Sequence, residues 1–208
     1  MIVLDNVSKS FAAPGGRKII LDRVNFVVPA GSTIGIVAPN GTGKSTLVNM
    51  MAGIERPDSG RITATGRVSP PLGQSSGLIL TQTGYANART IAIMNRCDPC
   101  HIQDVVAWMT DLGPDMGKPV GKWSSGMRSR FALALTLAMD FDIYLLDEGL
   151  PTTLDRDFNA RAEKVLAQKL RQATTVIVSH QPEVIARFCT ATATLRDGKL
   201  SPLVAMPR

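Results

Sequence analysis

The nine residues Ala38-Pro39-Asn40-Gly41-Thr42-Gly43-Lys44-Ser45-Thr46 combine two glycines, one lysine and adjacent hydroxyls in a single short loop. Glycines let successive backbone N–H groups converge on phosphate oxygens, and a helix beginning at the loop's end adds partial positive charge. In a loop of this Walker A kind, Lys44 holds the β- and γ-phosphates and Ser45 a Mg²⁺ ion, while Asn40, Gly41, Thr42, Gly43 and Thr46 complete the cradle. The usual pattern opens on Gly where this chain has Ala38, whose Cβ narrows the loop entry without removing a donor. Such a loop needs an acid at the end of a neighbouring strand, and Ile143-Tyr144-Leu145-Leu146-Asp147 supplies it, with Asp147 placed for the Mg²⁺ shell. Glu148 follows at once, where a carboxylate can align a water against the far side of the γ-phosphate. An Asp-Glu pair can instead cap the next helix, but the apolar run before it favours the metal reading.

These groups require rigid elements behind them. Thr33–Ala38, Asp142–Leu146 and Thr175–Ser179 are nearly continuous apolar runs, the pattern of parallel strands buried on both faces. Each leads through small or polar residues into a helical pattern, as βαβ units require, and helices read over Lys44–Ala52, Ser125–Met139, Phe158–Gln172 and Pro182–Phe188. Ile2–Leu4 and Ile19–Val28 read as strands joined by a loose connector, AAPGGRK, making an antiparallel flap on the main sheet. Ala191–Arg196 and Leu200–Val204 flank Asp197-Gly198, a hairpin signal. Residues 85–124 are poorer in strand patterns, with helical stretches at Ala86–Asn95 and Ile102–Leu112, and read as a small helical subdomain inserted between 1–84 and 125–208 of one α/β domain.

Composition narrows the partners. The 208 residues are 44% hydrophobic, 5% aromatic and 19% charged, a globular aliphatic chain rather than a disordered or disulfide-stapled one. The net charge of +6 is spread, with 10 basic and 6 acidic residues in 1–104 and 13 and 11 in 105–208. Nucleic-acid footprints are more concentrated, so a phosphate ligand or an anionic membrane surface fits better. No signal peptide precedes Asp5, and the longest apolar run, Phe131–Met139, is too short to cross a bilayer, which points to a cytoplasmic chain with its three cysteines reduced. Cys97-Asp98-Pro99-Cys100-His101 matches a haem-attachment pattern and half of a zinc site, but lacks the export signal and the second ligand pair, and reads as incidental.

One further motif completes the set. Trp123-Ser124-Ser125-Gly126-Met127-Arg128 opens the apolar helix RFALALTLAM, where Ser124 alone would be an N-cap. Lying about twenty residues before the strand that ends in Asp147, it has the position of the signature motif of ATP-binding cassette (ABC) proteins, usually LSGGQ. From end to end the chain resembles that family, including the turn Gly53–Gly60, His180 after TVIVS and the closing LRDGKL. The resemblance implies an α/β P-loop ABC ATPase core with an antiparallel flap and a helical subdomain, using ATP and Mg²⁺. It implies that Phe11 stacks on adenine, although the residue could instead sit in the core. Gln74, thirteen residues before Asn87, takes the register of a glutamine that senses Mg²⁺ and meets a membrane partner, with Gln82 as the rival. His180 would contact the γ-phosphate, and Asp155 would be the aspartate of the loop after the catalytic acids, one residue later than usual.

Ser124 and Gly126 would act on ATP held by a second copy, since one chain with one phosphate loop and one signature motif cannot close two sites. The implied assembly is a homodimer beneath a separate integral membrane permease, on the cytoplasmic face of a bacterial inner membrane, without nucleic acid. Within the family, SSGMRSR, DFDIYLLDE, Arg67–Gly73 and the compact length are similar to ATP-binding subunits of capsular polysaccharide exporters. The alternatives are an exporter of another substrate and a soluble ABC ATPase coupled to nucleic acid, whose usual tandem cassettes or coiled coil are missing here.

Overall fold

The computed structural model describes residues 1–72, 77–147 and 156–206. In chain order these form β1 (Ile2–Ala13), β2 (Gly16–Val28), β3 (Thr33–Val37), α1 (Lys44–Met51), β4 (Ser59–Ala64), α2 (Gly84–Met94), α3 (Pro99–Thr110) and α4 (Ser125–Ala138). There follow β5 (Ile143–Asp147), α5 (Arg156–Leu170), β6 (Thr174–Ser179), α6 (Pro182–Phe188), β7 (Ala191–Arg196), β8 (Lys199–Leu200) and β9 (Val204–Ala205). The chain divides into two compact units, Met1–Pro71 with Phe141–Gly149 and Leu170–Arg208, and Leu72–Asp140 with Leu150–Lys169.

In the first unit the main sheet runs β5-β6-β3-β7-β8, parallel from β5 to β7, with β8 and β9 antiparallel to β7. The three continuous apolar runs are β5, β6 and β3, adjacent in that order, and every residue of β6 is buried. Helix α6 approaches β3 closely enough that a Cβ on Gly35 would stand 2.3 Å from Ile185 Cγ2.

The N-terminal strands form a separate sheet, β2-β1-β4. The AAPGGRK segment is not the loose connector expected from the sequence, because β1 and β2 stay paired to Ala13↔Gly16 around Pro14-Gly15. β4 was unexpected, being an exposed edge strand with one apolar residue, Ile62, facing inward. Its entry depends on glycine: Gly60 has φ 82° and a Cβ there would lie 2.2 Å from the Asn6 carbonyl. Leu200–Val204 is not one strand either, since Ser201 and Pro202 break it between β8 and β9. Both sheets share one core, in which Ile2, Leu4, Val7 and Val28 meet Ile34, Ile36, Val176, Val178 and Leu47. Burying such side chains contributes about 1.5–3 kcal/mol each.

The second unit is helical. Helices α2, α3 and α4 each start on a side-chain cap: Thr83 Oγ1 accepts from Ala86 N at 3.1 Å, Asp98 Oδ1 from Cys100 N at 2.9 Å and Ser124 Oγ from Met127 N at 3.2 Å. α3 packs against both α2 and α4. Trp123 is buried just before α4, edge-on to Phe131 with centroids 5.2 Å apart, and its Nε1 donates to Asp115 O at 3.1 Å. α5 is tied on through Arg161, which donates to Trp108 O at 2.7 Å, and through the Lys169–Asp140 ion pair. This unit thus takes in α4 and α5 as well as 85–124.

Candidate nucleotide-binding site

The loop after β3 is built on the carboxyl edge of the parallel sheet, where ligands of open α/β sheets bind. Ala38 is fully buried and its N–H donates to Ser179 O at 3.1 Å, which pins the loop's start to the end of β6. Thr42 turns back on Pro39, its hydroxyl donating to the Pro39 carbonyl at 2.7 Å. Gly43 is the residue before α1 and has φ 103°, a left-handed conformation that favours glycine. A Cβ at Gly43 would also lie 2.3 Å from Ile20 Cγ2, so β2 closes one wall of the loop.

Lys44 is the first residue of α1 and is buried, with Nζ donating to Asn40 Oδ1 at 2.7 Å and to Ala38 O at 3.3 Å. A buried ammonium requires such partners. These two acceptors are loop atoms, which keeps the ammonium over the loop. Phe11 and Lys18 of the β1–β2 hairpin, together with Asn40, Gly41, Gly43 and Lys44–Thr46, line an open cavity of about 500 Å³, within the range of small-ligand sites. Phe11 is 40% exposed, so it belongs to the cavity wall and not to the core. Behind it, Lys9 Nζ lies 5.0 Å from the ring centroid and is itself bound to Glu55 at 2.5 Å. The Glu55 hydrogen bond holds the Lys9 ammonium above its ordinary pKa, and hydrogen bonds from Ser10 hold Asp58 below the usual carboxylate range.

Asp147 ends β5 opposite Val178 of β6, and His180 follows β6 immediately, so both stand at the same edge as the loop. Among the described residues Asp147 Oδ1 is buried without a hydrogen-bond partner, a cost of about 1–3 kcal/mol unless something engages it. An orphaned carboxylate oxygen and the Ser45 hydroxyl are hard oxygen donors of the kind Mg²⁺ takes, and the residues present fit that ion. His180 is exposed.

Ser124 caps α4 and Gly126 lies in its first turn, where an added Cβ would meet nothing nearer than Ser124 Oγ at 3.9 Å. A small side chain at Gly126 would therefore have room among the described residues. Gln74, Glu148 and Asp155 lie outside the described residues. The rival Gln82 is half-buried with Oε1 unpartnered among the described residues. Sequence reasoning missed Asn87, a buried amide that accepts from Ile79 N at 2.8 Å and donates to Ile79 O and Thr83 O at 3.0 Å, organising the 79–83 loop. A polar residue one turn into a helical pattern was its only signal.

A strand, a glycine loop and a helix that buries a loop-bound lysine, beside a strand ending in a carboxylate with an oxygen unpaired among the described residues, define a phosphate-loop nucleoside triphosphatase. The family model described as "ABC transporter" matches residues 21–152, and the chain belongs to that family as an ATP-hydrolysing transporter subunit. It is 35% identical over 198 residues to the ATP-binding protein BexA of Haemophilus influenzae, covering 95% of this chain and 91% of the relative. It is 33% identical to the polysialic acid transport ATP-binding protein KpsT of Escherichia coli, covering 91% and 87%. Its identity to the capsule polysaccharide export ATP-binding protein CtrD of Neisseria meningitidis is 32%, covering 96% and 92%. In fold it is similar to the dimeric post-hydrolysis state of the ATP-binding cassette MJ0796 bound to ADP and Pi, with TM-score 0.82, 22% identity and 100% of both chains covered. Among the described residues no helix is long and apolar enough to cross a membrane.

Proposed function

We propose that the chain is the ATP-hydrolysing subunit of an exporter of capsular or other cell-surface polysaccharide. It works as a homodimer on the cytoplasmic face of a bacterial inner membrane, beneath a separate integral membrane permease. The observation that carries the substrate class is the near end-to-end likeness to KpsT and CtrD, whose names specify polysialic acid transport and capsule polysaccharide export.

In this reading the backbone N–H groups of 41–46 and the Lys44 ammonium hold the triphosphate, and Phe11 stacks on adenine. Ser45, Asp147 and Gln74 would hold Mg²⁺, which supplies neutralisation of charge on the β- and γ-phosphates. Glu148 orients the attacking water and accepts its proton. His180 donates a hydrogen bond to the γ-phosphate and stabilises charge in the transition state. Ser124 and Gly126 present the N-terminus of α4 to ATP on the partner copy, where unsatisfied N–H groups favour an anion, and Asp155 contributes to the same dimer closure. ATP thereby holds two copies together and its cleavage releases them, the order–disorder logic of nucleotide switches.

The test is to replace the gene in its native bacterium by a Lys44→Ala version. Polymer retained inside the cell and lost from the surface, with viability kept, is the expected outcome. Unchanged surface polysaccharide with accumulation of a small solute would refute the substrate class and leave the ATPase assignment standing.

A further inference from the structure

The half of the β1–β2 hairpin nearer its turn carries three cations, Lys9, Arg17 and Lys18, and two of them are neutralised. Lys9 is paired with Glu55 at 2.5 Å. Arg17 donates to Ser10 Oγ at 2.7 Å and reaches Asp58 at 3.4 Å. The Lys18 side chain, among the described residues, has neither a hydrogen bond nor an ion pair. An unpaired surface lysine is ordinary in itself. Two geometric facts set this one apart.

First, Lys18 is the cross-strand partner of Phe11 in the β1–β2 register, and directly paired residues project from the same face of a sheet. The ammonium stem therefore stands beside the aromatic ring that lines the cavity. Second, Lys18 Nζ lies 3.9 Å from the position of a Cβ built on Gly41, in the middle of the phosphate loop, and Lys18 itself lines the cavity. A nucleotide laid from Phe11 towards Lys44 has to pass this group.

We propose that Lys18 is a phosphate-binding residue of the nucleotide site, a second cation that reaches down from the hairpin to a phosphate oxygen from the side opposite the loop's backbone donors. The assignment rests on the nucleotide reading given above. It explains why Glu55 and Asp58 are directed at Lys9 and Arg17 while Lys18 is left available. It also makes the hairpin responsive to the ligand: bound triphosphate would draw the Phe11–Lys18 pair and the loop together through one molecule.

The test is calorimetric titration of the full chain and of Lys18→Ala, Lys18→Gln, Lys18→Arg and Lys44→Ala with ATP at low and high salt. An exposed charge-assisted hydrogen bond is worth about a ten-fold change in Kd. Lys18→Ala and Lys18→Gln should both weaken ATP by about that factor, Lys18→Arg should restore it, and the gap should shrink as salt screens the charge. Lys18→Ala affinity within two-fold of the parent, with affinity lost in Lys44→Ala, overturns this proposal alone. Parent-like affinity in Lys18→Gln but not Lys18→Ala would show a neutral contact, such as a ribose hydroxyl, and also overturns it. Failure of the parent chain to bind ATP would remove the nucleotide reading itself.

Discussion

Replacing Gly43 by Ala tests whether the phosphate loop and the hairpin are one mechanical unit. The substitution costs twice over. At φ 103° a side chain is strained by about 1–2 kcal/mol. The new methyl would also begin 2.3 Å from Ile20 Cγ2 and 3.3 Å from its Cδ1, with Ile20 only 4% exposed, and overpacking of this kind costs about 1–3 kcal/mol. Gly43→Ala should therefore destabilise the chain by about 2–5 kcal/mol. Ile20→Ala alone should cost about 2–5 kcal/mol through the cavity it leaves. In the double variant the methyl introduced at position 43 occupies part of that cavity and the overlap disappears, while the φ strain remains. The two costs should then fall short of additivity by about 1–3 kcal/mol. Urea midpoints of the parent, both single variants and the double variant measure the difference. Additivity within about 0.5 kcal/mol, the behaviour of independent sites, would refute the steric coupling of β2 to the loop.

Glu148→Gln should keep ATP affinity and lose hydrolysis by about 10²-fold or more, so that an ATP-bound dimer accumulates on size-exclusion chromatography; a fully active variant would show that water is aligned elsewhere. A dimer mixing Lys44→Ala with Gly126→Asp should keep one intact composite site where each parental homodimer has none, and equal ATP occupancy in all three would exclude the arrangement in trans. Burial pushes the Cys189 thiol up to about 12. Its stabilising effect should therefore be complete below the ordinary cysteine range and fall away as pH rises from about 8.5 towards the folded value. In alkylation at pH 8.5 followed by mass spectrometry, exposed Cys100 should label in the native chain and Cys189 only in denaturant.

How much was legible in the sequence follows from the range over which each feature is encoded. The phosphate loop is contiguous, and its glycines, lysine and hydroxyls act on one another within a few residues. The strands β3, β5 and β6 were legible because a strand buried on both faces must be apolar throughout, whichever strands become its neighbours. Helices α2, α3, α4 and α6 carry their caps or an N-terminal proline in their own sequence.

What lay beyond local sequence is pairing at a distance. β4 has too few apolar residues to announce a strand and exists because β1 offers an edge, with Ile2↔Ala64 and Leu4↔Ile62 in register. The hairpin connector is paired because β1 and β2 continue their ladder around it, and that register decides that Phe11 lines the cavity beside the 38–46 loop with Lys18 next to it. Asn87 becomes a clamp only when the 79–83 loop folds over it. Composition and spacing alone thus determined the chemistry of the phosphate loop and the strands that present it. Which side chains from distant strands close over that loop was decided by tertiary structure, because strand register and burial depend on partners that no local window contains.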